Sequence, residues 1–254
     1  MYYKKSLGQN FLIDKNIIKK ISKNIDLNSN VIEIGPGKCS LTDEILKKKP
    51  SSLLLIEKDE KLSNNIKKNY SDNSIVKVLN KDILKVNINK LIKKNSIIVG
   101  NLPYNISSQI FIKFIKLNRP LKYKRIIFMF QKELANRIIA KHNEQHYGRI
   151  SILTNIFLDI KGKFDVSNNC FFPKPKVTST VLIFSPKPNL IINVKLISKI
   201  EKITQIFFSN KRKMINKNLK KIFGNKIPSH FKRKDNLRPV DLTPEEYLII
   251  AKSL

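Results

Sequence analysis

The chain has 254 residues, enough to bury one large core or a main domain with a smaller companion, and its 41% hydrophobic content excludes a disordered polypeptide. Fifty Lys and Arg against nineteen Asp and Glu leave a formal charge of +31, spread over the whole length. Such a charge repels itself in a lone protein but is compensated beside a polyanion, so a nucleic-acid partner is expected; the excess of Lys over Arg also fits an A/T-rich genome.

Two cysteines, Cys39 and Cys170, exclude a disulfide framework. The three histidines, His142, His146 and His230, are too few for most imidazole-rich sites, and His142 and His146, though spaced i,i+4, lack the acid of an HExxH pattern, so no metal is expected. The N-terminus has no secretory apolar core and no run approaches a membrane span. The expected location is cytoplasmic, with an organelle left open.

In chain order, a polar arm precedes a short helix capped by Asp14. Apolar strands follow at 30–35, 52–57, 74–79, 96–100 and 125–130, with helices expected at 40–48, 59–69, 107–117 and 131–141. This rhythm predicts a mostly parallel sheet with helices on both faces, an α/β fold. Residues 148–160 read as helix or strand. KGKFDVS and STVLIFS (179–185) read as strands flanking the turn FFPKPK, and the pair is expected to finish the sheet with an antiparallel edge.

Ser185-Pro186-Lys187-Pro188 is the expected domain boundary, separating a domain at 1–185 from a small helical one at 189–254. Helices are expected there at 193–208, 210–222 and 244–253, the last announced by the cap Thr243 with Pro244 and two acids behind it.

Glu33-Ile34-Gly35-Pro36-Gly37 lies where the first main strand turns into a helix. Glycine there admits a ligand close to the backbone, although the turn departs from the dinucleotide fingerprint and Cys39 stands where a third glycine might be. Glu57 ends the second strand about 20 residues beyond Gly35, the place of an acid that accepts ribose hydroxyls. Asp82 follows the third strand and could accept from an adenine amino group. Taken separately these are ordinary surface acids; together, at successive strand ends, they point to an adenosine-containing cofactor.

Asn101-Leu102-Pro103-Tyr104 closes the fourth strand. One account makes it a rigid turn. The other explains more of its residues: an adenine amine is a poor nucleophile, and the Asn101 side-chain oxygen with the carbonyl of Leu102 or Pro103 could accept its hydrogens while Tyr104 stacks on the ring. Phe172 could supply a second aromatic face or be a core residue beside a proline turn.

With these residues in view, the chain resembles the universal small-subunit (16S-type) rRNA adenine N6,N6-dimethyltransferases, from Lys5 to about Leu254. The resemblance is carried by Ser6-Leu7-Gly8-Gln9-Asn10-Phe11-Leu12-Ile13-Asp14, the glycine turn at 33–37, Glu57, Asp82 and Asn101 to Tyr104. Tyr147-Gly148-Arg149, Phe172-Pro173-Lys174-Pro175-Lys176-Val177 with Ser179, and a basic helix resembling Asn210-Lys211-Arg212-Lys213 complete it.

The resemblance implies a Rossmann-like S-adenosylmethionine-dependent methyltransferase sheet with a small C-terminal all-helical domain. It implies that Gln9, Asn10, Leu12, Gly35, Gly37, Glu57, Lys58, Asp82, Ile83 and Asn101 bind S-adenosyl-L-methionine, and that Asn101, Leu102, Pro103, Tyr104 and Phe172 handle the target base. Arg149, Lys211, Arg212, Lys213 and Lys217 would meet RNA phosphates. The implied reaction is dimethylation of two adjacent adenosines in a hairpin loop near the 3' end of small-subunit rRNA, by direct displacement and without metal. The implied partner is the small ribosomal subunit, and the implied state a monomer.

Rival readings share parts of this pattern. The large-subunit adenine methyltransferases of macrolide resistance resemble the same core, but LGQNFLID and LRPVDLTPEEY favour the small-subunit group. A mitochondrial transcription paralogue, a ribosome-assembly factor that only binds, and a DNA adenine methyltransferase are further readings, and retention of Glu57, Asp82, Asn101 and Tyr104 speaks against pure binding.

Overall fold

The computed structural model describes residues 9–117, 123–188, 194–232 and 236–254. Ser6, Leu7 and Gly8 of the N-terminal motif and the arm before them lie outside the described residues. The elements in chain order are β1 (Phe11–Leu12), α1 (Lys15–Ser22), β2 (Asn30–Ile34), α2 (Ser40–Leu46), β3 (Ser52–Glu57), α3 (Glu60–Asn69), β4 (Val76–Asn80), β5 (Ser96–Asn101), α4 (Ser107–Lys116), β6 (Tyr123–Gln131) and α5 (Lys132–Ile139). They continue with α6 (Arg149–Phe157), β7 (Leu158–Val166), β8 (Phe171–Phe172), β9 (Ser179–Pro186), α7 (Val194–Phe208), α8 (Asn216–Phe223), α9 (Ser229–Lys232) and α10 (Pro244–Lys252).

Among the described residues seven strands form one sheet in the order β4-β3-β2-β5-β6-β9-β7. The pairs β2–β3, β3–β4, β2–β5 and β5–β6 are parallel, and β9 runs antiparallel to β6. Alternation along the central strands buries both faces. Val31, Leu53, Leu55, Ile97, Val99, Ile127 and Met129 share a core with Ile18, Ile21, Leu41, Ile45 and Ile66 from α1, α2 and α3. On the intervening positions Phe128, Phe130 and Phe184 stack edgewise or tilted with Phe111 and Phe114 of α4, at ring separations of 4.9 to 5.5 Å.

Local chemistry sets the element ends. Asp14 Oδ1 accepts from the N–H groups of Asn16 and Ile17, both at 2.9 Å, starting α1 as expected; such a cap contributes about 1 kcal/mol. Thr243 and Glu246 form a reciprocal capping box on α10 behind Pro244.

The ambiguous stretch 148–160 divides: α6 runs to Phe157, and the chain then enters β7, which lies beside β9 at the sheet edge. A two-stranded piece was not expected from sequence. β1 pairs antiparallel with β8, Phe11 opposite Phe172 and Leu12 opposite Phe171.

The chain separates into two compact units: residues up to Ala135 with Ile160–Pro186, and Asn136–Asp159 with Lys187–Leu254. The crossing after Pro186 falls where the two prolines stop β9. The segment 136–159, which the sequence assigns to the first domain, instead groups with the C-terminal helices. Within this second unit α6 and α10 pack on α7, Phe207 meets Tyr247 edgewise at 5.7 Å, and the hydroxyls of Tyr147 and Tyr247 donate to the carbonyls of Leu242 and Pro239.

The helix expected at 210–222 begins only at Asn216. Lys211, Arg212 and Lys213 therefore stand in the turn between α7 and α8 rather than on a helix. The Lys213 N–H returns to the Asn210 carbonyl and the Ile215 N–H is taken by Leu237, so these donors leave the helical ladder.

Candidate active site

Strand order reverses between β2 and β5, because the chain builds outward from β2 through β3 to β4 and then returns to the other side of β2. A crevice opens at the carboxyl ends of strands at such a switch point. There the carboxyl ends of β2, β3 and β5, the loop after β4 and the segment 9–12 surround one cavity. Of the residues expected at the cofactor, Gln9, Asn10, Leu12, Gly35, Gly37, Glu57, Lys58, Asp82, Ile83 and Asn101 all line it, as do Leu102, Pro103 and Tyr104.

The glycine turn is built by backbone geometry that side chains disfavour. Gly35 and Gly37 have φ of +66° and +57°, and a Cβ on Gly37 would stand 2.9 Å from the Phe11 ring. Cys39 also takes a positive φ of +66° just before α2, so the chain keeps a glycine-like conformation where the third glycine is missing.

Glu57 is buried at the end of β3. Its Oε2 accepts from the Gly37 N–H at 3.2 Å and its Oε1 from the Asp59 N–H at 2.8 Å, so the carboxylate splints the glycine turn. Burial raises its pKa despite these bonds. Each carboxylate oxygen has a second acceptor direction, which suits a pair of ligand hydroxyls. Asp82 accepts from the Leu84 N–H at 2.9 Å and pairs with Lys58 at 2.9 Å. Burial pushes its pKa up, but Lys58 and the Leu84 N–H outweigh that and hold it low.

The Asn101 side-chain N–H donates to the Asn10 carbonyl at 2.7 Å, which restrains the side-chain amide. Leu102 is buried, and the Tyr104 hydroxyl lies 2.7 Å from the buried Ser179 hydroxyl. Phe172 does not line this cavity. It sits on β8 with 41% of its surface exposed, opposite Phe11 of the cavity wall, so the core alternative for it is overturned while its neighbour Phe171 is the buried one. Arg149, Lys211, Arg212, Lys213 and Lys217 are exposed and belong to the second unit.

In the sequence Glu33 is legible only as part of the glycine turn. In the structure it lines the cavity, is 2% exposed, and accepts from Thr42 Oγ1 at 2.7 Å. Burial pushes its pKa up to about 8, with Asp43 and Glu57 adding to the rise and Thr42 opposing it. The available signal was an acid inside the otherwise apolar strand NVIEI. Phe11, Lys38 and Leu62 also line the cavity, and Lys38 Nζ lies 4.9 Å from the Phe11 ring centre.

This donor and acceptor set fits S-adenosylmethionine. Two carboxylates stand at successive strand ends, Ile56, Leu62, Ile83 and Leu102 offer apolar walls, and the Gly35–Gly37 turn leaves space that a Cβ would narrow. Among the described residues no group of His, Cys, Asp and Glu could hold a metal ion, and no helix is long and apolar enough to cross a membrane.

Residues 2–254 match the family described as Ribosomal RNA adenine dimethylase. The chain is 42% identical over 253 residues to the Ribosomal RNA small subunit methyltransferase A of Pelagibacter ubique, spanning 98% of this chain and 95% of that one. It is 37% identical over 259 residues to the protein of the same name from a Wolbachia of Drosophila simulans, spanning 99% and 93%. A dimethyladenosine transferase from Plasmodium falciparum superposes with a TM-score of 0.78 at 25% identity, covering 94% of this chain and 95% of that one. The 23S rRNA methyltransferase ErmE shares the fold, with a TM-score of 0.71 at 19% identity over 96% and 99% of the two chains. With the family match running to the last residue and relatives this similar over nearly their whole length, the chain belongs to the ribosomal RNA adenine dimethylases and is an S-adenosylmethionine-dependent rRNA adenine dimethyltransferase.

Proposed function

We propose that this enzyme dimethylates the N6 amines of two adjacent adenosines in a hairpin loop near the 3' end of small-subunit rRNA, during assembly of the small ribosomal subunit. The carrying observation is that the Asn101–Tyr104 turn opens into the same cavity as Glu57 and Asp82. The small-subunit target is supported by the 42% identity to a small subunit methyltransferase over nearly all of both chains. The enzyme acts as a monomer in the cytoplasm, on a ribosomal particle and not at a membrane.

Glu57 and Lys58 would hold the ribose of the cofactor, Asp82 and Ile83 its adenine, and Gln9, Asn10, Leu12, Gly35 and Gly37 its methionine side. When bound, S-adenosylmethionine supplies an electrophilic methyl group on a sulfonium. Asn101 Oδ1 and the Leu102 carbonyl accept the hydrogens of the target amine, which turns its lone pair away from the ring and favours the pyramidal nitrogen of the transition state. Pro103 stiffens the turn, Tyr104 supports one face of the flipped base, and Phe172 packs against it from β8. No side chain is required as a base, because the amine becomes acidic as the new bond forms. Proximity and a desolvated wall carry the rate.

Arg149, Lys211, Arg212, Lys213 and Lys217 meet RNA phosphates, which favours recognition by shape over base reading. Tritiated methyl transfer to unmethylated small subunits, followed by nucleoside analysis, tests the reading, with Asn101→Ala and unmethylated large subunits alongside. Dimethyladenosine in the small subunit, lost in the variant, supports it. Product only in large-subunit RNA, or binding without product, overturns it.

A further inference from the structure

Ser179 has no part in the chemistry above, yet its hydroxyl meets that of Tyr104 at 2.7 Å in a fully buried position. It is the first residue of β9, in register with Gln131 of β6. The strand end around it is tied down. Thr180 donates to Asp165 at 2.7 Å, Lys132 Nζ reaches the other Asp165 oxygen at 2.7 Å, and the Lys132 N–H donates to the Thr178 carbonyl at 3.0 Å.

The backbone of Tyr104 is held as well, its carbonyl accepting from Ser107 Oγ at 3.1 Å. What remains free in Tyr104 is rotation of its side chain. A hydrogen bond at the far tip of the ring is the contact best placed to stop it, because the lever arm is longest there.

We propose that Ser179 is a positioning residue that clamps the Tyr104 ring, and that this clamp matters more for the second methyl transfer to an adenine than for the first. The inference rests on the reading of Tyr104 as the face supporting the target base. In each transfer the N6 lone pair forms the new C–N bond, the methyl–sulfur bond breaks with its electron pair returning to sulfur, and the amine proton leaves to water. The unmodified amine offers two N–H groups, one each for Asn101 Oδ1 and the Leu102 carbonyl. The monomethylated amine offers only one. One acceptor then loses its partner, and the orientation of the base depends more heavily on the ring beneath it.

The experiment follows monomethyladenosine and dimethyladenosine over time in unmethylated small ribosomal subunits. The full-length enzyme is compared with Ser179→Ala, Tyr104→Phe, the double variant and Tyr104→Ala. Ser179→Ala is expected to slow the second transfer about fivefold, the effect of one ordinary hydrogen bond, and the first by less than about twofold. Monomethyladenosine then accumulates transiently. Tyr104→Phe is expected to do the same, and the double variant to be no worse than either single one.

A folded Ser179→Ala enzyme with the normal ratio of products overturns the clamp, as does additivity in the double variant. Should Ser179→Ala melt below the assay temperature, Tyr104→Phe, which leaves the buried strand end intact, decides: a normal ratio there overturns the proposal. Full activity in Tyr104→Ala instead removes the reading of Tyr104 on which the clamp rests, while loss in Tyr104→Ala with a normal ratio in Ser179→Ala removes the clamp alone.

Discussion

The side-chain amide of Asn101 donates to the backbone carbonyl of Asn10 at 2.7 Å, joining points 91 residues apart. This bond ties the cavity wall formed by residues 9–12 to the Asn101–Tyr104 turn on the other side of the same cavity. The same wall is paired through Phe11 to Phe172 on β8. Asn101→Ala is therefore expected to lower the turnover number by about 10² to 10³, as for loss of one transition-state acceptor, and to weaken S-adenosylmethionine as well. Single-turnover methyl transfer and calorimetric titration of the cofactor separate the two effects; transfer within about threefold of the parent would remove Asn101 from the chemistry.

Gly100, one residue earlier, packs its α-carbon against β2. A Cβ there would lie 2.8 Å from the Ile34 carbonyl oxygen, an atom that cannot swing aside. At Gly162 an added Cβ would meet the flexible end of Ile183 at 3.2 Å and, at an ordinary 4.0 Å, its Cβ. Gly100→Ala is expected to cost about 1–3 kcal/mol and to displace Asn101, whereas Gly162→Ala changes stability by less than about 1 kcal/mol. Urea denaturation of both variants checks the contrast, and equal losses would contradict it.

Glu33 makes stability depend on pH. Its pKa is raised by burial from the ordinary 4.5 to about 8 in the folded chain, so the folded state holds a proton that the unfolded state has released. The stabilisation is complete below pH 4.5 and is lost as pH rises through about 8. Glu33→Gln keeps an acceptor for Thr42 and cannot ionise. It is expected to flatten the fall in melting temperature between pH 5.5 and 8.5, by an amount on the order of a few kcal/mol at the upper end. Parallel melting curves for variant and parent would show that Glu33 is not the group responsible.

Phe171 and Phe172 are adjacent and should behave oppositely. Phe171 is 3% exposed and belongs to the core beneath the sheet, while Phe172 is 41% exposed. Phe171→Ala is expected to cost about 3–5 kcal/mol. Phe172→Ala should leave the melting temperature nearly unchanged while reducing methylation of small subunits. Normal methylation by the stable Phe172→Ala enzyme would exclude Phe172 from base handling.

Replacing Lys211, Arg212 and Lys213 together by Ala tests the exposed turn between α7 and α8. The slope of log affinity against log salt for small-subunit rRNA should shrink by about two, because each lost phosphate contact removes about 0.7 to 0.9. An unchanged slope would assign the binding charge elsewhere on this strongly basic chain.

By itself the sequence determined the features whose physics is local. Strand and helix positions followed from apolar periodicity, the starts of α1 and α10 from Asp14 and Thr243 with Pro244, and the acids at strand ends from their place after apolar runs. Motifs at those ends also marked the family, because a chemical site needs particular residues at particular element termini.

Tertiary structure decided what depends on residues far apart. Nothing near Asn10 announces that its carbonyl orients Asn101, nothing near Ser179 that it faces Tyr104, and nothing in FF which ring is buried, since β1–β8 pairing selects the face. The turn at 211–213 reads as helix because its residues tolerate one; the Lys213 N–H instead returns to the Asn210 carbonyl, and just before α8 the distant Leu237 carbonyl takes the Ile215 N–H. Likewise 136–159 joins the C-terminal helices through packing of α6 against α7 and α10. Apolar contact carries no sequence address, so only the closed fold could assign that helix to its unit.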